Sequence, residues 1–150
     1  MPITKVRKIL LVEDNPDDEA LTLRALSKCG VANEVDVVHN GQDAVNYLRA
    51  QGKFRDRDPD DLPQLVLLDL KLPMLDGLEV LEIIRSDEAT RTLPVVIFTS
   101  SKEKSDLTKG YQLGVNSFVC KPINFAEFSE SIRQLGLYWL LVNEPPPKLS

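Results

Sequence analysis

Apolar residues fall along this chain in short continuous runs, separated by stretches with helical spacing. Ile9–Val12, Leu65–Leu68 and Val95–Phe98 hold no polar position, as expected of strands covered on both faces. Val35–Val38 and Ser117–Cys120 complete a set of five strand candidates. Between them lies helix punctuation. The first helix opens at Asn15-Pro16, a capping side chain followed by a proline suited to the first helical position, and stops at Gly30. Its apolar positions are Ala20, Leu21, Leu23, Ala25 and Leu26. A second helix starts near Asn40-Gly41 with Ala44, Val45 and Leu48 inward, and a third follows Asp76-Gly77 with Leu78, Val80, Leu81 and Ile84. The fourth is expected from about Ser101 to Gly114, and the fifth from Asn124, with Phe125, Phe128, Ile132 and Leu135 at helical spacing. Five alternations of strand and helix predict an α/β fold, a doubly wound five-stranded parallel sheet with right-handed crossovers.

The polar residues that end these runs carry the chemistry. Glu13-Asp14 follows the first strand, Asp69 the third, Thr99-Ser100 the fourth and Lys121-Pro122 the fifth. Parallel strands all point the same way, so the four sites converge on one edge of the sheet, where open α/β sheets hold their ligands. Asp69 closes a strand whose interior would not tolerate a free charge, so its carboxylate must face a polar pocket or solvent. A carboxylate in such a place is a candidate nucleophile for an acyl-phosphate, provided a metal and a positioned cation offset the accumulating charge. Alone, Asp69 reads more readily as a strand-end residue starting the turn that runs through Pro73 to Asp76-Gly77.

Glu13 and Asp14 repel each other, and a hard cation with oxygen ligands compensates such a pair. Mg²⁺ fits, since it keeps several waters and takes one or two carboxylates. Asp14 and Asp69 are the expected direct ligands, with Glu13 acting through water and the backbone carbonyl of Lys71 completing the protein's share. The acids also favour the positive N-terminus of the first helix, and both roles are compatible. Lys121 is a compact point charge within reach of an anion, and Pro122 is a candidate for a cis bond fixing its direction. Thr99 supplies a hydroxyl; by itself it would be read as a helix cap. His39, the single histidine, has no second imidazole with which to share a metal and reads as a loop residue.

At 150 residues, with 43% hydrophobic and 27% charged content, the chain is expected to be one soluble globular domain with a buried core. A net charge of −5 argues against general affinity for nucleic acid or an anionic membrane. No apolar stretch approaches the roughly 20 residues that span a bilayer. The first residues lack the apolar core of a signal peptide. Two cysteines, Cys29 and Cys120, make neither a disulfide framework nor a metal motif, so the cytoplasm is the expected location.

As a set, VEDN with Glu13 and Asp14, LLDLKLP with Asp69, the Asp76-Gly77 pair, FTSS with Thr99 and CKP with Lys121 resemble the receiver domain of two-component response regulators. The resemblance covers about Lys8 to Leu135. It implies the flavodoxin-like (CheY-like) strand order 2-1-3-4-5. It also implies phosphoryl transfer from the phosphohistidine of a sensor histidine kinase to Asp69, with Mg²⁺ required. By the same likeness Lys121 contacts the phosphoryl group, Thr99 bonds it after moving inward, and Phe118 holds the aromatic switch position. Phe118 departs from the tyrosine of many members. Lys71, two beyond Asp69, departs from the small or polar residue usual there and is expected to affect the lifetime of the acyl-phosphate.

Other readings explain less. A phosphatase of the haloacid-dehalogenase type also uses Asp and Mg²⁺, but it wants a second acid where Lys71 stands, and it needs a cap domain. A nucleotide-binding module would show a G-x-G-x-x-G or P-loop pattern, and neither occurs. An interaction domain that has lost phosphorylation is a further possibility, but every required residue is present. The expected organisation is an N-terminal extension over 1–7, a receiver over 8–135 and an interaction arm over 136–150. Gln51–Gln64 is expected to be a solvated surface loop. The arm, with Tyr138, Trp139, Leu140 and Leu141 ahead of three prolines, is expected to build a homodimer together with the fourth and fifth helices. No DNA-binding module follows the fifth helix, so output is expected through protein contacts, as a terminal effector or as a relay passing the phosphoryl group onward. The loop and the arm resemble small receivers that partner bacterial phytochrome-type kinases.

Overall fold

A computed structural model describes residues 8–28, 34–100, 103–121, 126–127, 130–131 and 133–134. Five strands, β1 (Ile9–Val12), β2 (Val35–Val38), β3 (Leu65–Leu68), β4 (Val95–Thr99) and β5 (Ser117–Cys120), form one parallel sheet in the order β2-β1-β3-β4-β5. The expected strand bounds hold except that β4 runs one residue further, to Thr99. Side chains alternate across the sheet, as a period of two requires. Leu10, Val12, Val66, Leu68, Val95 and Ile97 face one core, and Ile9, Leu11, Leu65, Leu67, Val96 and Phe98 face the other.

Helices α1 (Pro16–Lys28), α2 (Gly41–Arg49), α3 (Gly77–Ser86) and α4 (Lys104–Gln112) connect the strands. Their starts follow the capping chemistry of the sequence. Asn15 Oδ1 accepts the N–H groups of Asp17 and Asp18 at 2.9 and 3.2 Å, and Asn40 Oδ1 accepts that of Asp43 at 2.7 Å. Asp76 and Glu79 close a reciprocal capping box at the start of α3. Helix α4 is shorter than expected: it begins only at Lys104, its N-cap Glu103 makes no capping bond, and Gly114 at φ +91° ends the segment. Helical residues at 126–127, 130–131 and 133–134 stand where the fifth helix is expected. Pro122, the extension over 1–7 and the arm with Tyr138, Trp139, Leu140 and Leu141 lie outside the described residues.

The connection after α2 stays at the surface but is tied down. It opens with a 3-10 turn at Gly52–Phe54, and the Phe54 ring meets that of Tyr47 edge-on at 5.4 Å. The Arg57 guanidinium lies 3.7 Å from the Tyr47 ring centroid and donates to the carbonyls of Tyr47 and Asp61. Tyr47 in turn donates to Asp36 of β2 at 2.5 Å. Burial and that bond push its phenol above the ordinary range. At the opposite edge of the sheet, Arg85 of α3 donates to Gly114, Arg91 and Leu93 carbonyls and to Asn116 Oδ1, fastening α3 to the approach of β5.

One glycine sets how closely α3 approaches the end of β3. Gly77 donates its N–H to the Leu70 carbonyl at 2.8 Å, and a Cβ there would lie 2.2 Å from the Asp69 carbonyl oxygen and 2.7 Å from Leu70 Cα. Both neighbours are backbone and have no rotamer by which to yield. Gly77→Ala is therefore expected to cost about 2–3 kcal/mol and to lower Tm by roughly 5–10 °C, measured by thermal unfolding.

Candidate functional site

The ends of β1, β3, β4 and β5 bring together the residues that the sequence places there. Val12 and Leu68 are partners in register, so Glu13 and Asp69 emerge from adjacent strands. Backbone bonds continue one residue beyond each strand: Asp69 N–H to Val12 O at 3.1 Å, Glu13 N–H to Val38 O at 3.1 Å and Lys121 N–H to Thr99 O at 2.7 Å. Rigid ladders thus fix the bases of all four side chains.

Lys121 Nζ is the centre of the arrangement. It donates to Glu13 Oε1 at 2.5 Å, to Asp18 Oδ2 at 2.8 Å and to Asp69 Oδ2 at 3.1 Å. Its side chain is 9% exposed, against 3% for Glu13, 10% for Asp69 and 31% for Asp18. The second oxygens of Glu13 and Asp69 have backbone partners. Glu13 Oε2 accepts from Asn15 N–H at 3.3 Å and Asp69 Oδ1 from Lys71 N–H at 3.4 Å. Thr99 is fully buried at the end of β4. Phe118 sits three residues before Lys121, half-buried against the core and against Gly110 of α4.

Glu13, Asp14 and Asp69 each offer an oxygen within 4.8 Å of the others. This is a set of hard oxygen donors, two of them buried and Asp14 exposed, which suits a divalent cation that retains water. The cluster bears the mark of uncompensated charge. Burial, then the hydrogen bond and the charge of Asp69, push the Glu13 carboxyl up to about 7, with Lys121 pulling the other way. Burial works against the Lys121 ammonium, but the bonds to Asp18 and Glu13 and the charge of Asp69 outweigh it and hold the lysine above its ordinary value. A groove of about 370 Å³ opens beside the cluster, with Asp14, Lys71, Asp76 and Asp106 in its lining.

Asp18 is the member that the sequence reading missed. It lies in the acidic first turn of α1 with Asp17 and Glu19, a pattern that reads as helix-dipole complementarity and so drew no attention. It stands four residues after Asp14, just past the end of β1, and that nearness to a strand-end acid pair was the available signal. His39 stays apart from the lysine cluster: its side chain is 62% exposed and pairs with Glu19 at 2.7 Å. No described helix is long and apolar enough to cross a membrane.

A sequence profile of the response regulator receiver domain matches residues 9–133. The probable methanogenesis regulatory protein FilR2 of Methanothrix harundinacea is 39% identical over 139 residues, 92% of this chain and 86% of its own length. The crystal structure of the phosphorylated cyanobacterial phytochrome response regulator RcpA superposes with a TM-score of 0.88 at 36% identity, covering 95% of this chain and all of that one (100%). The bacteriophytochrome response regulator AtBRR is 51% identical, with a TM-score of 0.76 over 94% of this chain and 100% of its own. Homologous receivers have been solved with Mn²⁺ or Mg²⁺ bound. Profile, identity, strand order and the acid–lysine edge agree: the chain belongs to the receiver-domain family of two-component response regulators and is homologous to phytochrome response regulators.

Proposed function

We propose that this receiver takes a phosphoryl group on Asp69 from the phosphohistidine of a sensor histidine kinase and signals by protein contacts. The observation that carries the reading is the place of the Asp69 carboxylate, between the Glu13-Asp14 pair and the Lys121 ammonium. In the transfer the P–N bond of the donor breaks as a P–O bond forms to an Asp69 oxygen. The imidazole leaves with the electron pair of the broken bond and takes a proton from water. Asp69 is aimed by its backbone ladder and by the Lys71 N–H. Lys121 supplies a fixed positive charge for the incoming phosphoryl oxygens, and an ammonium held among acids stays protonated at neutral pH. Thr99 and Phe118 are the proposed switch pair, passing the change from the end of β4 to β5 and α4.

Asp14 and Asp69 would hold Mg²⁺ directly, Glu13 through water and Lys71 through its backbone carbonyl. The ion, when bound, neutralises charge on the transferring group. A phytochrome-type kinase is the proposed donor, on the strength of the likeness to RcpA and AtBRR, both phytochrome response regulators.

Incubation with a small phosphodonor and Mg²⁺ is expected to add one phosphate by intact mass. Asp69→Asn or a chelator abolishes the gain; an Asp69→Asn protein that still gains the phosphate refutes the assignment.

Asp14 shares the acid cluster without bonding Lys121, so its removal relieves repulsion at little loss. Asp14→Asn is expected to stabilise the metal-free protein by about 1 kcal/mol, against the usual sign for a substitution. Added Mg²⁺ should raise the wild-type Tm and leave that of the variant nearly unmoved, which paired melts with and without chelator will read.

Lys71 lines the groove beside Asp69, and its flexible side chain can lie over the site and pair with phosphoryl oxygens. Lys71→Ala is accordingly expected to speed hydrolysis of the acyl-phosphate by several-fold, followed as decay of the phosphorylated mass. A decay equal to or slower than wild type counts against the shielding role.

A further inference from the structure

An ammonium carries three protons, and the three donated by Lys121 go to three different carboxylates, at 2.5, 2.8 and 3.1 Å. Glu13 and Asp69 belong to the acid cluster already described. Asp18 does not: it stands outside the Glu13-Asp14-Asp69 group whose oxygens converge within 4.8 Å. Its carboxylate therefore serves the lysine and leaves the place of the cation alone. The backbone beneath it is well held, because Asn15 Oδ1 accepts its N–H at 3.2 Å and Thr22 Oγ1 donates to its carbonyl at 2.8 Å.

We propose that Asp18 is a positioning residue for phosphoryl transfer, acting through Lys121: from the first turn of α1 it holds the ammonium over the Asp69 carboxylate. This rests on the phosphoacceptor reading above. Lysine has a flexible four-carbon stem and sets no direction by itself. Glu13, just after β1, makes the shortest of the three bonds, and Asp69, the reacting group, makes the longest. With Asp18 gone, the strongest remaining pull on the ammonium is toward Glu13 and away from Asp69. With Asp18 present, two carboxylates from two separate elements fix the nitrogen, and the third proton points at Asp69 Oδ2 or at a phosphoryl oxygen carried there. The value of such a clamp is orientation, and a misplacement on the scale of 1 Å is costly to a transfer reaction.

Asp18→Asn is the direct test, since the cap from Asn15 and the Thr22 bond use only the backbone of residue 18. Initial rates of phosphorylation by a small phosphodonor at saturating Mg²⁺ would be compared in the wild type, Asp18→Asn, Lys121→Gln and the double variant. Loss of one charge-assisted bond is expected to slow the reaction by about tenfold in Asp18→Asn, with little or no further slowing in the Lys121→Gln background. Asp18→Glu, which restores the carboxylate, should recover part of the rate. The same slowing in both backgrounds, or none in either, overturns the proposal. A readout free of phosphorylation is the Lys121 Nζ and Cε resonances in isotopically labelled, metal-free protein, which Asp18→Asn is expected to shift. If they do not move, the clamp is refuted even where the rates fall. A wild type that takes no phosphoryl group, with resonances that do move, overturns the phosphoacceptor reading and the role in transfer together, and leaves only the Asp18–Lys121 bond.

Discussion

Parallel pairing of β1 with β3 forces two carboxylates together. Because Val12 faces Leu68 in register, Glu13 and Asp69 leave the sheet side by side, and neither can withdraw without breaking a backbone bond. Two charges at such a separation repel by about 3 kcal/mol at an effective dielectric of about 20. Asp14 adds a third charge, and the helix that follows adds Asp18. Lys121, delivered by β5, answers three of these acids at once but leaves the edge negative. Much of the local structure follows from that imbalance. The Glu13 carboxyl is pushed above its ordinary range, Lys121 is held charged, and the acids together form a cluster of oxygen donors of the kind that suits a hard cation.

Such an edge is stable only because the sheet behind it is not under the same stress. The three central strands, β1, β3 and β4, place buried apolar residues on both faces, with Leu10, Val12, Val66 and Leu68 fully buried on one side and Ile9, Leu65 and Val96 on the other. Each such side chain contributes about 1.5–3 kcal/mol when fully buried, so a few of them offset the repulsion of the acids. The strain is thus confined to the residues immediately after the strands, where a cation or a phosphoryl group can act on it.

Sequence reading recovered what depends on local chemistry. The apolar runs gave the strands to within a residue, because a continuous apolar run of four or five has few other uses in a doubly wound sheet. Asn15, Asn40 and Asp76 marked helix starts through capping bonds made within three residues of each. What it missed depends on which strands and helices meet in space. Asp18 belongs to the site only because α1 packs where β5 delivers Lys121, 103 positions further along the chain. The surface connection after α2 looked merely solvated, because the stacking of Arg57 on Tyr47 needs α2 and the loop to fold together. The start of α4 was placed early for the opposite reason: hydroxyls after β4 look like caps, yet Glu103 takes the N-cap position without a side-chain bond.

In the proposed switch, helix α4 is where a charge change at the edge would reach the surface. Its one buried residue is Gly110, and a Cβ at that position would lie 3.2 Å from the Phe118 ring and 3.4 Å from Ile97 Cδ1. A glycine within a helix costs roughly 0.5–1 kcal/mol relative to alanine, and α4 has neither a side-chain cap at its N-terminus nor a buried apolar side chain of its own to offset it. Among α1 to α4 it has the fewest buried residues, and Leu107 and Tyr111 on it are exposed. Phe118 lies beneath Gly110 on β5, and the next strand over ends in the buried Thr99. A rearrangement of Thr99 toward a phosphoryl group would therefore be felt first by the ring of Phe118, and through it by the helix with the least to hold it still. If Thr99 and Phe118 act as the proposed switch pair, α4, with Gly110 as its one buried residue, is the element through which a small displacement at the acid edge would alter an exposed surface, since elements that respond to a ligand are drawn from the weakly held parts of a fold.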